Sequence, residues 1–107
     1  MITYDDFKKV EMRIGTILSA ERVPDTDKLI RFKVNFGDEE RQIVSGIAGT
    51  YPDPEQLVGK QFPFVTNLEA REIRGLESQG MIVACATEEG IALLEPNIPV
   101  PPGSSLS

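Results

Sequence analysis

The sequence predicts an all-β domain that closes into a small barrel. Three observations carry that expectation: apolar residues recur at every second position in several short runs, turn-forming residues separate those runs at close spacing, and only one short helical candidate lies among them. With 107 residues the chain has room for one ordinary core, and 40% hydrophobic with 26% charged residues is the balance of a globular protein. A single domain over residues 1–107 is therefore expected.

The opening TYDDFKKV reads as a helical turn that Thr3 can cap, with Asp5 and Asp6 near its positive end. From Val10 to Ala20 the even positions Val10, Met12, Ile14, Thr16, Leu18 and Ala20 alternate with polar or small residues, which predicts a long half-buried strand. Gly15 in its middle predicts a kink or bulge. The turn RVPDTDK leads into LIRFKVNF, where Ile30, Phe32, Val34 and Phe36 share one face and Arg31, Lys33 and Asn35 the other. GDEE turns the chain into RQIVSGI, the third strand. After IAGTYPDP comes the helix candidate PEQLVG, then the strand QFPFVTN, the connection NLEAREIRGLESQGM, a strand QGMIVACAT, a turn at EEG, and IALLEP. The tail NIPVPPGSSLS is expected to be extended.

Five or six strands with one short helix after the third give the order β-β-β-α-β-β. That order predicts an OB-fold, a five-stranded barrel, here with small terminal extensions. The fold binds ligands on the outer face of strands two and three and on the loops after strands one and four.

Several function classes drop out. Histidine is absent and Cys85 is the one cysteine, which removes the usual zinc sites, disulfides and histidine-dependent nucleophiles. The acidic pairs in Asp38-Glu39-Glu40 and Glu88-Glu89 fall at expected turns, and no phosphate-binding glycine motif is present. No enzyme, metal or cofactor is expected, and Cys85 should pack as a small buried side chain. No apolar run approaches the roughly 20 residues that cross a bilayer, so we expect no membrane association and a cytoplasmic location.

The net charge of −6 opposes nucleic-acid binding in sum but not in distribution. All eleven basic residues lie between Lys8 and Arg74, while four glutamates and no base follow. Arg31 and Lys33 share the outer face of the second strand, Lys28 follows the first turn, and Arg41 neighbours them on the third strand. Arg71 and Arg74 either bracket a phosphate or pair internally with Glu69, Glu72 or Glu77; the residues alone leave these readings even. Asn67, Ser78 and Gln79 can bond bases or 2′-hydroxyls, or else satisfy backbone groups where strands end. Tyr51 is the one exposed aromatic candidate for stacking, and Met81 is expected in the core.

The blocks VEMRIGTILSAERVPDTDKL, RQIVSGIAGTYPDPEQLVGKQ, VTNLEAREIRGLESQGM and PVPPGS resemble the tRNA-binding domain family, found as a small dimeric protein, as a C-terminal or beta part of methionyl-tRNA synthetase, and in a secretion-chaperone relative. The resemblance implies a non-catalytic OB-fold that binds tRNA by shape and backbone, commonly as a homodimer, with a synthetase catalytic subunit as a further partner. Of the expected tRNA surface, Asn67, Arg71, Arg74 and Ser78 match the family motif, while Lys28, Arg31, Lys33, Arg41 and Gln79 join it from their places on the fold's binding elements. The chain departs from the family pattern at Glu69, Ala70 and Glu72, where the two glutamates are expected to weaken the grip. A dimeric peptide-holding chaperone is the alternative the resemblance carries, and a scaffold that dimerises a synthetase is the third. Phe7, Ile98, Val100 and Leu106 are apolar residues that a small barrel need not bury, as a dimer would use.

Overall fold

The computed structural model describes residues 1–107. In chain order it has helix α1 (Tyr4–Phe7), strands β1 (Met12–Arg22), β2 (Ile30–Asn35) and β3 (Glu40–Ser45), a 3-10 turn (Pro54–Leu57), then β4 (Gln61–Val65), β5 (Arg71–Ile73), β6 (Leu76–Ser78), β7 (Met81–Ile82), β8 (Ala84–Thr87) and β9 (Gly90–Leu93). Five strands form one antiparallel sheet in the order β3-β2-β1-β4-β7, and β5-β6 and β8-β9 are separate hairpins. The sheet curls into a nearly closed barrel around Phe32, Phe36, Phe62, Phe64, Ile17, Ile30, Ile43 and Val34, each almost fully buried. The all-β barrel with one short helix is the expected architecture. No helix is long and apolar enough to cross a membrane.

β1 organises the barrel by serving two neighbours. Its first half, Met12 to Thr16, pairs with β4, and its second half, Thr16 to Arg22, pairs with β2. Gly15 stands at that change of partner, where a Cβ would lie 2.3 Å from Val34 Cγ1 and 2.8 Å from Phe36 Cε1. The expected irregularity is displaced from Gly15: the ladder slips between Ile17 and Ser19, leaving Leu18 as the extra residue, 40% exposed. The buried positions consequently run Ile14, Ile17, Ala20, not along the even series. A strand that coils between two partners and carries a bulge cannot keep a period of two.

Two further expectations change. The helix candidate after β3 is a 3-10 turn that buries Pro54 and Leu57. The last long strand is split: β7 makes only two residue pairs with β4, and Ala84–Thr87 then leaves to pair with β9. Pro63 supplies the reason, because it accepts from the Val83 amide (3.0 Å) but has no N–H to return, so the ladder stops there. Once β8 has left the barrel, Cys85 is exposed and not buried. The departing hairpin is held by side chains, the Ile91 amide donating to Thr50 Oγ1 (3.0 Å) and the Leu93 amide to the Tyr51 hydroxyl (3.2 Å). Tyr51 is thereby packed against the core and is not a free stacking platform.

The tail is extended, as expected, and it is also docked. Ile14 exchanges backbone bonds with Gly103 and Ser104 (2.7 and 2.8 Å), and Gln61 clasps both backbone groups of Val100 (2.7 and 3.0 Å). It thus continues, beside β1, the line that β2 leaves at Asn35. α1 is closed by reciprocal bonds between Thr3 and Asp6, yet it buries none of its own residues.

One charged cluster caps an end of the barrel. Glu39 bridges Arg13 Nη2 (3.0 Å) and Arg41 Nε (2.8 Å), and both guanidiniums lie near the Phe36 ring, 4.9 and 5.7 Å from its centroid. For Arg13, burial works against the charge, but the hydrogen bonds of Glu39 and Asp38 outweigh it and raise the pKa. Hydrogen bonds from Arg41 first and Arg13 second pull the Glu39 carboxyl from the ordinary 4.5 to about 2. A depressed folded-state pKa stabilises the native form above the unfolded value, and that contribution fades as pH falls through the folded value. Glu39→Gln should therefore flatten the acid side of the stability curve between pH 4.5 and about 2, measured by urea unfolding at stepped pH.

A candidate nucleic-acid interface

The connection from Asn67 to Met81, expected as a loop, is a β-hairpin. β5 and β6 pair Arg71 with Ser78 and Ile73 with Leu76, so Arg74 and Gly75 form a two-residue turn. Both have positive φ, 52° and 83°, as a tight mirror-image turn requires. Arg74 accepts a left-handed backbone and gains a position at the projecting tip.

That tip reaches a groove of about 370 Å³ beside the β1–β2 loop, lined by Arg74, Arg31, Arg22, Glu21, Pro24 and Leu76 among others. The three elements that an OB-fold uses therefore converge here, with Arg31 supplied by β2 and Arg74 by the connection. Sequence reasoning overlooked Arg22, whose guanidinium donates to the Pro52 and Asp27 carbonyls (both 3.3 Å) and holds the loop's shape. It also overlooked Glu21. Only the register, which sets Glu21 opposite Arg31, could have exposed that pair.

The remaining candidates divide by what they touch. Arg31 is ion-paired with Glu21, and Lys33 Nζ lies 3.6 Å from Glu40 Oε1, so the outer face of β2 neutralises its own charge. Lys28, Arg71 and Arg74 are exposed and have no carboxylate within ion-pair distance. Lys28 is not among the groove-lining residues, and Arg71 lines a different groove.

The other four are bound into the fold. Arg41 donates to the Thr66 and Gln79 carbonyls (2.5 and 3.2 Å) as well as to Glu39. Asn67 pins the N-terminal segment, accepting from the Glu11 amide (2.8 Å) and donating to the Lys9 carbonyl (2.6 Å). Ser78, 3% exposed, accepts from the Val44 amide (3.0 Å) and donates to the Gly80 carbonyl (3.0 Å). Gln79 exchanges bonds with the Gln42 backbone through its amide (2.8 Å) and its side chain (3.1 Å). These bonds fasten β3 to the end of the hairpin. Met81, expected inside, is instead 47% exposed beside Leu68 at the same 47%.

No cluster of metal-ligating side chains exists, and the site's residues offer cationic and hydrogen-bonding groups without a nucleophile-base pair. That arrangement can bind anions and polar edges.

Comparison with known proteins gives a consistent picture. Residues 12–105 match a family profile described as "Putative tRNA binding domain". Over 106 residues the chain is 46% identical to a methionine–tRNA ligase of Bacteroides fragilis, covering 98% of the chain but 16% of that protein's length. Among solved structures it is similar to a methionyl-tRNA synthetase related protein from Pyrococcus horikoshii, with 42% identity, TM-score 0.94 and 100% and 98% of the two chains covered. It is also similar to the chaperone CsaA from Bacillus anthracis, with 29% identity, TM-score 0.90 and coverage of 100% and 99%.

Ser78 and Arg74 should separate cleanly in a stability measurement. Ser78→Ala leaves a buried amide without its acceptor and is expected to cost about 1–3 kcal/mol in urea unfolding. Arg74→Ala should stay within about 0.5 kcal/mol of the unsubstituted protein.

Proposed function

The chain belongs to the tRNA-binding domain family, and from that membership we propose that it is a non-catalytic domain that holds tRNA by shape and backbone. The observation that carries this reading is the groove shared by Arg31, Arg22 and Arg74, in which Arg74 has no acidic partner. Planar guanidiniums on both walls suit a phosphate that enters between them. Lys28 and Arg71 extend the positive surface. Lys33 joins it when Glu40 yields, Arg41, Ser78 and Gln79 support the interface by holding the end of the hairpin, and Asn67 ties the start of the connection to the N-terminal segment.

Its relatives include whole methionine–tRNA ligases, and the chain spans about a sixth of their length. We therefore place its action in the cytoplasm beside, or within, such a ligase, where it would raise the local concentration of tRNA. Homodimerisation fits the termini: Phe7 and Ile98 are 41% and 65% exposed, Leu106 is exposed, and α1 buries nothing. A second reading, a peptide-holding chaperone, is favoured by the likeness to CsaA and by the self-neutralised β2 face.

The salt dependence of bulk tRNA binding tests the first reading. Affinity should fall steeply with salt, and Arg74→Ala should weaken binding and reduce the slope of log K against log salt by about one. Glu21→Gln frees Arg31 and should raise affinity roughly two- to fivefold, the scale of one exposed ion pair. A flat salt dependence in the unsubstituted protein, with tight binding of basic unfolded peptides, would support the chaperone reading instead. For the assembly, light scattering at micromolar concentration should report about twice the 11.8 kDa chain mass.

A further inference from the structure

A second groove, of about 180 Å³, lies between the end of β3 and the β5–β6 hairpin. Its walls include the exposed apolar side chains of Leu68 and Met81 with half-buried Ile73, and its rim carries Arg71, Glu69 and Ser45. The lining differs from that of the arginine groove: Arg71 is its one base where the other has Arg22, Arg31 and Arg74, and Val44, Leu68, Ile73 and Met81 supply its apolar side.

Gly46 lines the same groove, and nothing in the fold demands glycine there. Its φ lies outside the left-handed region, and an added Cβ would meet no atom within 4 Å. By contrast Gly15, Gly37, Gly80, Gly90 and Gly103 each have a heavy atom within 3.0 Å of that position. Gly49 is equally unhindered, but of the two only Gly46 lines this groove, where the missing side chain keeps the groove open for close approach. Gly46's own N–H and C=O and the Ser45 hydroxyl make no hydrogen bond within the protein, and Arg71 has no carboxylate partner.

We propose that this groove takes a single unstacked nucleobase of the bound RNA, an inference that rests on the tRNA reading above. The ring is covered by Leu68 and Met81 on its apolar side, and the Arg71 guanidinium plane stacks against it or spans to the adjoining phosphate. The free Gly46 and Ser45 groups meet the base edge. Glu69, a poor neighbour for a phosphate, is an acceptor for an exocyclic amine, so the site favours cytosine, adenine or guanine over uracil. The departure at Glu69 thus changes what the surface reads while leaving the phosphate grip to Arg31 and Arg74.

The test uses the full chain and bulk tRNA, with short oligo-C and oligo-U RNAs as competitors. Gly46→Val adds a side chain to open space, and a thermal melt checks that it folds; Leu68→Ala, at an exposed position, is the second variant. Each should weaken tRNA binding, Gly46→Val by about tenfold, while the salt slope stays that of the unsubstituted protein, because a base contact is lost and not a phosphate contact. Oligo-C should compete better than oligo-U, and Glu69→Leu should erase the difference. Unchanged affinity in both groove variants, or a loss accompanied by a shallower salt slope, overturns the inference. Loss of apolar peptide binding with tRNA binding intact overturns it too, and assigns the groove to peptides. If the unsubstituted chain binds no tRNA, the underlying reading fails, an outcome distinct from a groove variant that binds normally.

Discussion

The closure of the barrel is the constraint on which the rest of the molecule depends. β3 and β7 are the two edges of the five-stranded sheet, and an open edge leaves backbone groups without partners. The gap is not filled by a regular ladder. Ser78 Oγ takes the Val44 amide, Gln79 exchanges two bonds with Gln42, and Gln42 Nε2 reaches the Glu77 carbonyl (2.8 Å). Gly80 completes the seam, since a Cβ there would lie 2.9 Å from the Val65 carbonyl oxygen. Because the seam grips the β6 end of the hairpin, it also fixes where the opposite end projects, and so where Arg74 meets the β1–β2 loop. Closing the barrel and positioning the candidate interface are one structural act.

Charge is arranged to allow an acidic domain to present cationic grooves. A net charge of −6 opposes an approaching polyanion at long range. Near the surface, placement decides. Glu39 is committed to Arg13 and Arg41 at the barrel's end, and Glu21 and Glu40 are committed to Arg31 and Lys33. Such exposed pairs are weak and exchangeable, so a phosphate can displace a carboxylate that a distant partner cannot. Basic residues that lack partners, Arg71 and Arg74, sit on the projecting hairpin. The surface is thus attenuated where the strand face is broad and ungated where the hairpin projects.

The chain shares a fold with a synthetase-related protein and with a chaperone, so the barrel by itself does not select the ligand. On the proposed tRNA reading, selection would fall to the hairpin and to the end of β3, where two grooves take residues from the same short element. In that reading one would offer guanidiniums to a phosphate, and the other apolar walls and polar edges to a ring. A ligand that presents both a backbone and an unstacked base satisfies them together.

The sequence by itself determined the class of fold, the inner and outer faces of β2 and the family. Ile30, Phe32 and Val34 alternate so strictly with Arg31 and Lys33 that local period alone assigns inside and outside. The family blocks carried the last of these. What the sequence left undecided lies wherever a residue's neighbour is far along the chain. The bulge at Leu18, the departure of β8 and the exposure of Cys85 follow from partner changes that no local pattern records. The same holds for Arg41, Asn67, Ser78 and Gln79, which are polar enough to bind RNA but are occupied by groups between 34 and 58 residues away, apart from the nearer contacts of Arg41 to Thr66 and Glu39 and of Ser78 to Gly80. A polar side chain's role is set by which partner reaches it first, and only the closed barrel, which brings those distant groups together, could decide that.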